Sequence, residues 1–181
     1  MSKDIVCAQN PDEIFDIVDE NDNVVSSGKR SYIHKNKLLH RAVHAIFFDK
    51  KGRILLQKRS ALKDSYPLCY TTSCSGHVDS GESYEQALLR ETFEELGVKL
   101  KLSDFKKIAK LGACAETGFE FIELFTTVYE GEFNVAKDEV DSVEWMAPED
   151  FEELIKSNPQ KVTPSFVKVY YCAKENSEGA K

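Results

Sequence analysis

The sequence predicts an α+β domain in which a mixed β-sheet is sandwiched between α-helices, and three observations predict it. β-forming segments stand on both sides of one strongly patterned central helix, and more helix follows at the C-terminal end. The composition suits a packed, soluble globular core, with 41% hydrophobic and 30% charged residues. A length of 181 residues fits one domain, because domains commonly take roughly 100 to 200 residues. We expect a single domain over 1–181, with a short N-terminal β extension over about 1–36 and a polar C-terminal tail over about 175–181.

The elements follow in order. Ile14, Phe15, Ile17 and Val18 precede the turn Asp19-Glu20-Asn21-Asp22-Asn23, and Val24 and Val25 follow it, so Asp12 to Val25 reads as two short strands. His40 to Phe48 is rich in β-branched and aromatic residues, and Asp49-Lys50-Lys51-Gly52 turns it into Arg53 to Gln57 as a core hairpin. Ser83 to Leu96 is the clearest helix, stopped by Gly97, a residue suited to the left-handed position beyond a helix end. Lys106 to Cys114 and Phe119 to Tyr129 read as strands joined through Thr117-Gly118, and Ser142 to Met146 as one more. Pro148 opens a helix reaching Lys156, in the first turn where its missing N–H costs least. A last helix follows Thr163-Pro164, and Glu175 to Lys181 reads as a frayed end.

Composition narrows the partners. No apolar run approaches the roughly 20 residues of a membrane span, and Met1-Ser2-Lys3-Asp4 lacks a signal peptide's apolar stretch, so the expected location is cytoplasmic, with no membrane partner. Five cysteines, Cys7, Cys69, Cys74, Cys114 and Cys172, include no Cys-x-x-Cys pair, which points to reduced thiols without a zinc site. The net charge of -7 and pI near 5.2 argue against a nucleic acid polymer as partner. An anionic small molecule would need a local basic patch and a bound cation.

The central helix carries the chemistry. Glu91, Glu94 and Glu95 share one face, while Leu88, Leu89, Thr92, Phe93 and Leu96 fill the adjacent arc. Like charges at this spacing cost an isolated helix roughly 0.2 to 0.5 kcal/mol per pair, so the arrangement asks for a cation. Mg²⁺ suits it, being a hard ion that takes oxygen ligands and bridges to phosphates. An arbitrary Glu-x-x-Glu-Glu reads more simply as a solvated acidic face. Here it is embedded in Gly76-x5-Glu82-x7-Arg90-Glu91-x2-Glu94-Glu95-x-Gly97-Val98.

That run resembles the Nudix box, departing from it only at Thr92, where the family has an aliphatic residue. The resemblance implies a Nudix fold and hydrolysis of a diphosphate bond in a nucleoside diphosphate or one of its derivatives, with Mg²⁺ or Mn²⁺ as cofactor. It implies that Glu91, Glu94 and Glu95 are metal ligands with the Gly76 carbonyl, and that Arg90 and Glu82 form a supporting ion pair. Glu94 or Glu95 would act as the base, and which of them stays open. Glu123 and Glu139 are candidates for an extra carboxylate.

Three further segments, Asp16 to Asp19, Leu39 to His44 and Leu56 to Ser60, resemble a Nudix branch related to type I isopentenyl-diphosphate isomerase. This implies diphosphate-binding roles for Arg59 and Lys63 and metal-binding roles for His40 and His77, with His34 one residue out of register with a third histidine. Ser75 stands where the isomerase has its essential cysteine, and Cys74 lies one residue early. In an extended segment such a neighbour faces the opposite way. Together with the intact box, this favours hydrolysis over isomerase-like activity. A noncatalytic Nudix binding module is a third alternative, disfavoured by the retention of all three glutamates. No local motif selects the substrate: Tyr66, Tyr70, Phe119 and Phe121 can stack on a base but serve equally in a core.

Overall fold

The computed structural model describes residues 10–178; Cys7 lies outside them. Among the described residues, no helix is long and apolar enough to cross a membrane. Strands β1 (Ile14–Val18) and β2 (Val24–Lys29) pair with each other as a separate antiparallel ribbon. The main sheet comprises β3 (His40–Phe48), β4 (Ile54–Arg59), β5 (Tyr70–Thr71), β6 (Cys74–His77), β7 (Lys106–Leu111), β8 (Glu120–Val128) and β9 (Val140–Met146). Its central pair, β3 and β8, is parallel and the remaining pairs are antiparallel, which makes the sheet mixed.

Alternation along β3 builds two cores. Ala42 and Ile46 face one way with Ile122 and Leu124 of β8, against α3 (Pro148–Ser157) and α4 (Pro164–Glu178) through Phe151, Phe166 and Val169. Val43, Ala45 and Phe47 face the other way with Phe125, against α2 (Tyr84–Leu96) through Ala87, Leu88 and Leu96. Period-two burial on both faces is what a central strand between helical layers requires.

Helix α2 begins at Ser83, whose hydroxyl accepts the Gln86 N–H while the Gln86 side chain accepts the Ser83 N–H. It ends at Gly97, at φ 69°, whose N–H reaches the Phe93 carbonyl.

Four sequence expectations change. Residues 30–36, read as part of a β extension, form the short helix α1 (Arg30–Asn36). Ile33 and the stem of Arg30 are its buried residues, too few to give a helical signature. The expected hairpin survives only at its turn, since β3 and β4 meet at Phe48 and Ile54 alone. Beyond that point the buried Ser73 hydroxyl accepts from Phe47 N–H at 2.8 Å and donates to the Leu55 carbonyl at 2.6 Å, bridging strands that have parted. β6 then takes the edge of β3, pairing Ala42 to Ala45 with His77 to Cys74. Strand β7 stops at Leu111 rather than Cys114. Helix α4 continues through 175–178, where a frayed tail was expected.

Candidate active site

Where β3 and β4 part, a cleft of about 480 Å³ opens between the end of the sheet, α2 and the N-terminus of α4. Gly76, Glu91, Glu94, Glu95 and Arg90 line one side of it. Gly76 on β6 lies so close to α2 that a Cβ there would overlap the Glu91 carboxyl carbon, so this contact requires glycine. Arg90 binds Glu82 through Nε and Nη2 at 3.1 and 2.8 Å, Glu91 at 2.6 Å and Glu94 at 3.1 Å. It also donates to the His77 carbonyl at 2.9 Å, tying α2 to β6. Glu82 therefore stands behind the cleft, supporting Arg90.

The glutamates differ in freedom. Glu95 is buried, its Oε2 accepting from Ser75 N–H and from Gln57 Nε2, each at 3.0 Å. Glu94 is half exposed and, among the described residues, bonded only to Arg90. Burial, and then the charge of Glu95, push the Glu91 carboxyl above the ordinary carboxylate range despite Arg90 beside it. Burial likewise raises Glu95, against the lowering influence of Lys63. Clustered buried carboxylates held above their usual range, beside a backbone that leaves no room for a Cβ, fit a hard divalent cation.

Cationic side chains converge on the same cleft. Arg59 on β4 donates from Nε to the Ser65 carbonyl at 3.0 Å, and Lys63 is ion-paired to Glu139. The buried Arg30 on α1 joins them, bound to Asp64 at 2.9 Å. Glu139 thus reaches the cleft as the partner of Lys63. Glu123 does not reach it: β8 alternation turns it to the α2 face, where Lys107 binds it at 2.6 Å. Glu120, on the other face, lines the cleft instead.

The histidines come together. His34, His40 and His77 place one ring nitrogen each within 4.8 Å of one another. His34 and His77 Nε2 atoms face each other at 3.2 Å, and Glu120 Oε1 lies 3.1 Å from His77 Nε2 and 3.6 Å from His40 Nε2. Burial and the other two histidines hold the His34 ring down to about 4, so it is a neutral imidazole with a lone pair to offer. The linear offset of His34 is absorbed by α1 and by Lys37, which closes that helix in the left-handed conformation. This set of three imidazoles and a carboxylate also has the donor chemistry of a divalent-cation site.

Sequence reasoning missed Glu120, Arg30 and Gln57. Glu120 lies beside His40 in the parallel register of β3 and β8, a pairing that joins segments 80 residues apart. Within the extended β6, Ser75 lines the cleft, while Cys74 is buried on the opposite face against Thr92. Burial raises the Cys74 thiol well above its ordinary range.

A model of the NUDIX domain matches residues 38–166. The chain belongs to the Nudix hydrolase family. Among Nudix relatives it is 35% identical over 163 residues to an isopentenyl-diphosphate Delta-isomerase of Photorhabdus laumondii, covering 87% of this chain and 90% of that protein. It is 33% identical over 152 residues to the prenyl-diphosphate phosphatase of Methanosarcina mazei, covering 82% and 87%. The crystal structure of a Deinococcus radiodurans protein superposes with a TM-score of 0.75 at 24% identity, over 92% of this chain and 98% of that one, a likeness of fold. The Nudix match spans the cleft residues from Ala42 to Ser165; Arg30 and His34 lie ahead of it.

Proposed function

We propose that this Nudix protein hydrolyses a diphosphate bond in a nucleoside diphosphate or derivative, with Mg²⁺ or Mn²⁺ held by Glu91, Glu94, Glu95 and the Gly76 carbonyl. The observation that carries the proposal is the meeting of three α2 carboxylates with Arg30, Arg59 and Lys63 around one cleft. Carboxylates alone would repel a diphosphate, and cations alone would bind it without activating water. A bound divalent ion would supply charge neutralisation and a more acidic water. Arg59, Lys63 and Arg30 would grip the phosphate oxygens, which replace the Ser65, Glu139 and Asp64 oxygens they now bind. Glu95, fixed by Ser75 and Gln57, would serve as an oriented ligand. Glu94, with an open carboxylate, would take the proton of the attacking water. Water adds to phosphorus, the bridging P–O bond breaks, and two phosphate products leave.

A second reading is favoured by the His34, His40, His77 and Glu120 cluster, in which His40 and His77 are the metal-binding positions implied by the isomerase resemblance. Among the described residues no thiol lines the cleft, and Ser75 stands at the position of the isomerase's cysteine. Phosphate release from a panel of nucleoside diphosphates and isopentenyl diphosphate, with Mg²⁺, separates the two. Glu94→Gln should lower phosphate release about 100-fold or more. Isomerised product that survives Glu94→Gln and disappears with His77→Ala would sink the hydrolase reading.

A further inference from the structure

His44 has a place in the cleft that the proposed chemistry leaves unused. It lies on β3 on the same face as Ala42, is 4% exposed, and lines the cleft floor. Its Nδ1 sits 2.9 Å from the hydroxyl of the buried Thr72. With its proton on the Cys74 carbonyl at 3.3 Å, that hydroxyl accepts from Nδ1–H, and the ring in this tautomer presents Nε2 unprotonated. Nε2 makes no hydrogen bond among the described residues. Burial brings the ring's titration down to about 4, so the imidazole is neutral at physiological pH. The cleft therefore contains a fixed, neutral acceptor in this tautomer.

Its surroundings decide what such an acceptor can meet. On the α4 side the walls are Thr71, Thr117, Thr163 and Ser165 with Ala115 and Pro164. The large apolar side chains among the lining residues are Phe15 and Tyr66. Phe15 is covered by stacking on His77 at 4.5 Å, and Tyr66 lies on the exposed rim. A hydrocarbon chain placed here would gain little apolar contact and would seal Nε2 of His44 from water without a donor. A hydroxyl-bearing group would satisfy it.

We infer that His44 selects substrates by the group attached to the diphosphate, accepting at Nε2 a hydrogen bond from a sugar or nucleoside hydroxyl and disfavouring hydrocarbon alcohols. The inference rests on the hydrolase reading and names the residue that selects the nucleoside or sugar group within it. Thr72 is the positioning residue that sets the tautomer.

The test measures kcat/KM for release of inorganic phosphate from uridine diphosphate and from isopentenyl diphosphate, with Mg²⁺, for wild type, His44→Phe, His44→Gln and Thr72→Val. Loss of one hydrogen bond to a buried acceptor corresponds to a change of about 10-fold. His44→Phe should lower the nucleoside value by about that factor or more and leave the isopentenyl value unchanged or raised. His44→Gln, whose amide oxygen can accept the same bond, should stay within a few-fold of wild type. Equal losses on both substrates, an unchanged preference, or a wild type that prefers isopentenyl diphosphate would overturn the role of His44 and leave hydrolysis standing. Absence of phosphate release from every diphosphate overturns the hydrolase reading, and this inference with it. If His44→Phe fails to fold, Thr72→Val decides by the same ratio, with an unchanged preference counting against the inference.

Discussion

At Gly76 a single hydrogen in place of a methyl group lets β6 and α2 approach until backbone and carboxylate touch. The glycine of the signature is therefore a steric condition on Glu91, beyond any carbonyl it offers a cation. Gly76→Ala should displace Glu91 and lower kcat on the order of 100-fold, as a shift of about 1 Å in a reacting group can do. Normal thermal stability alongside full activity would refute this. Residue scale also explains why the glutamates are not equivalent. Glu95 is immobilised by Ser75 and Gln57, whereas Glu94 is half exposed and bonded to Arg90. The i, i+3, i+4 spacing that makes these carboxylates neighbours is legible in one dimension, but Gln57 comes from β4, 38 residues earlier, and nothing local announces it.

At the scale of elements, α2 is the most legible part of the chain, because its start, its stop and its faces are all written locally. Its C-terminal glycine carries two separate demands. Gly97 holds a positive φ, and a Cβ there would lie 2.6 Å from the Asn134 carbonyl oxygen. Gly97→Ala should therefore cost about 1 to 3 kcal/mol, which lowers Tm by roughly 2 to 12 °C for a chain of this size. Thermal denaturation checks this, and a Tm within one degree of wild type would refute it. Other elements are written less clearly. Helix α1 has seven residues and buries one apolar side chain, so no period shows in the sequence. The hairpin of β3 and β4 holds at its turn and not along its strands, because a turn sets only its adjoining residues. Ser73 and β6 decide the rest from a distance.

The whole molecule sets the charge balance of the cleft. Glu91 and Glu95 have folded-state pKa values raised above their ordinary 4.5. The folded state then binds more protons than the unfolded one over that window, so their contribution to stability falls as pH rises from the carboxylate range toward neutrality. A divalent cation bound to the folded form opposes this by mass action. Metal-free protein should therefore gain more in Tm from added Mg²⁺ at pH 8 than at pH 6, and Glu91→Gln should flatten that difference. Equal Mg²⁺ shifts at both pH values would contradict it.

Across the whole chain, what could be read in one dimension was what depends on short separations. Helix periodicity put three carboxylates on one face, strand periodicity set Ser75 and Cys74 on opposite sides, and glycine and proline marked the ends. The chemical class of the site follows from those local patterns. Its membership does not. Glu120 beside His40, His34 beside His77, Arg30 beside Asp64, and Glu123 turned away to Lys107 all follow from sheet order and helix placement. Those contacts join residues separated by tens of positions, and only the packing of two cores on a mixed sheet brings them within reach.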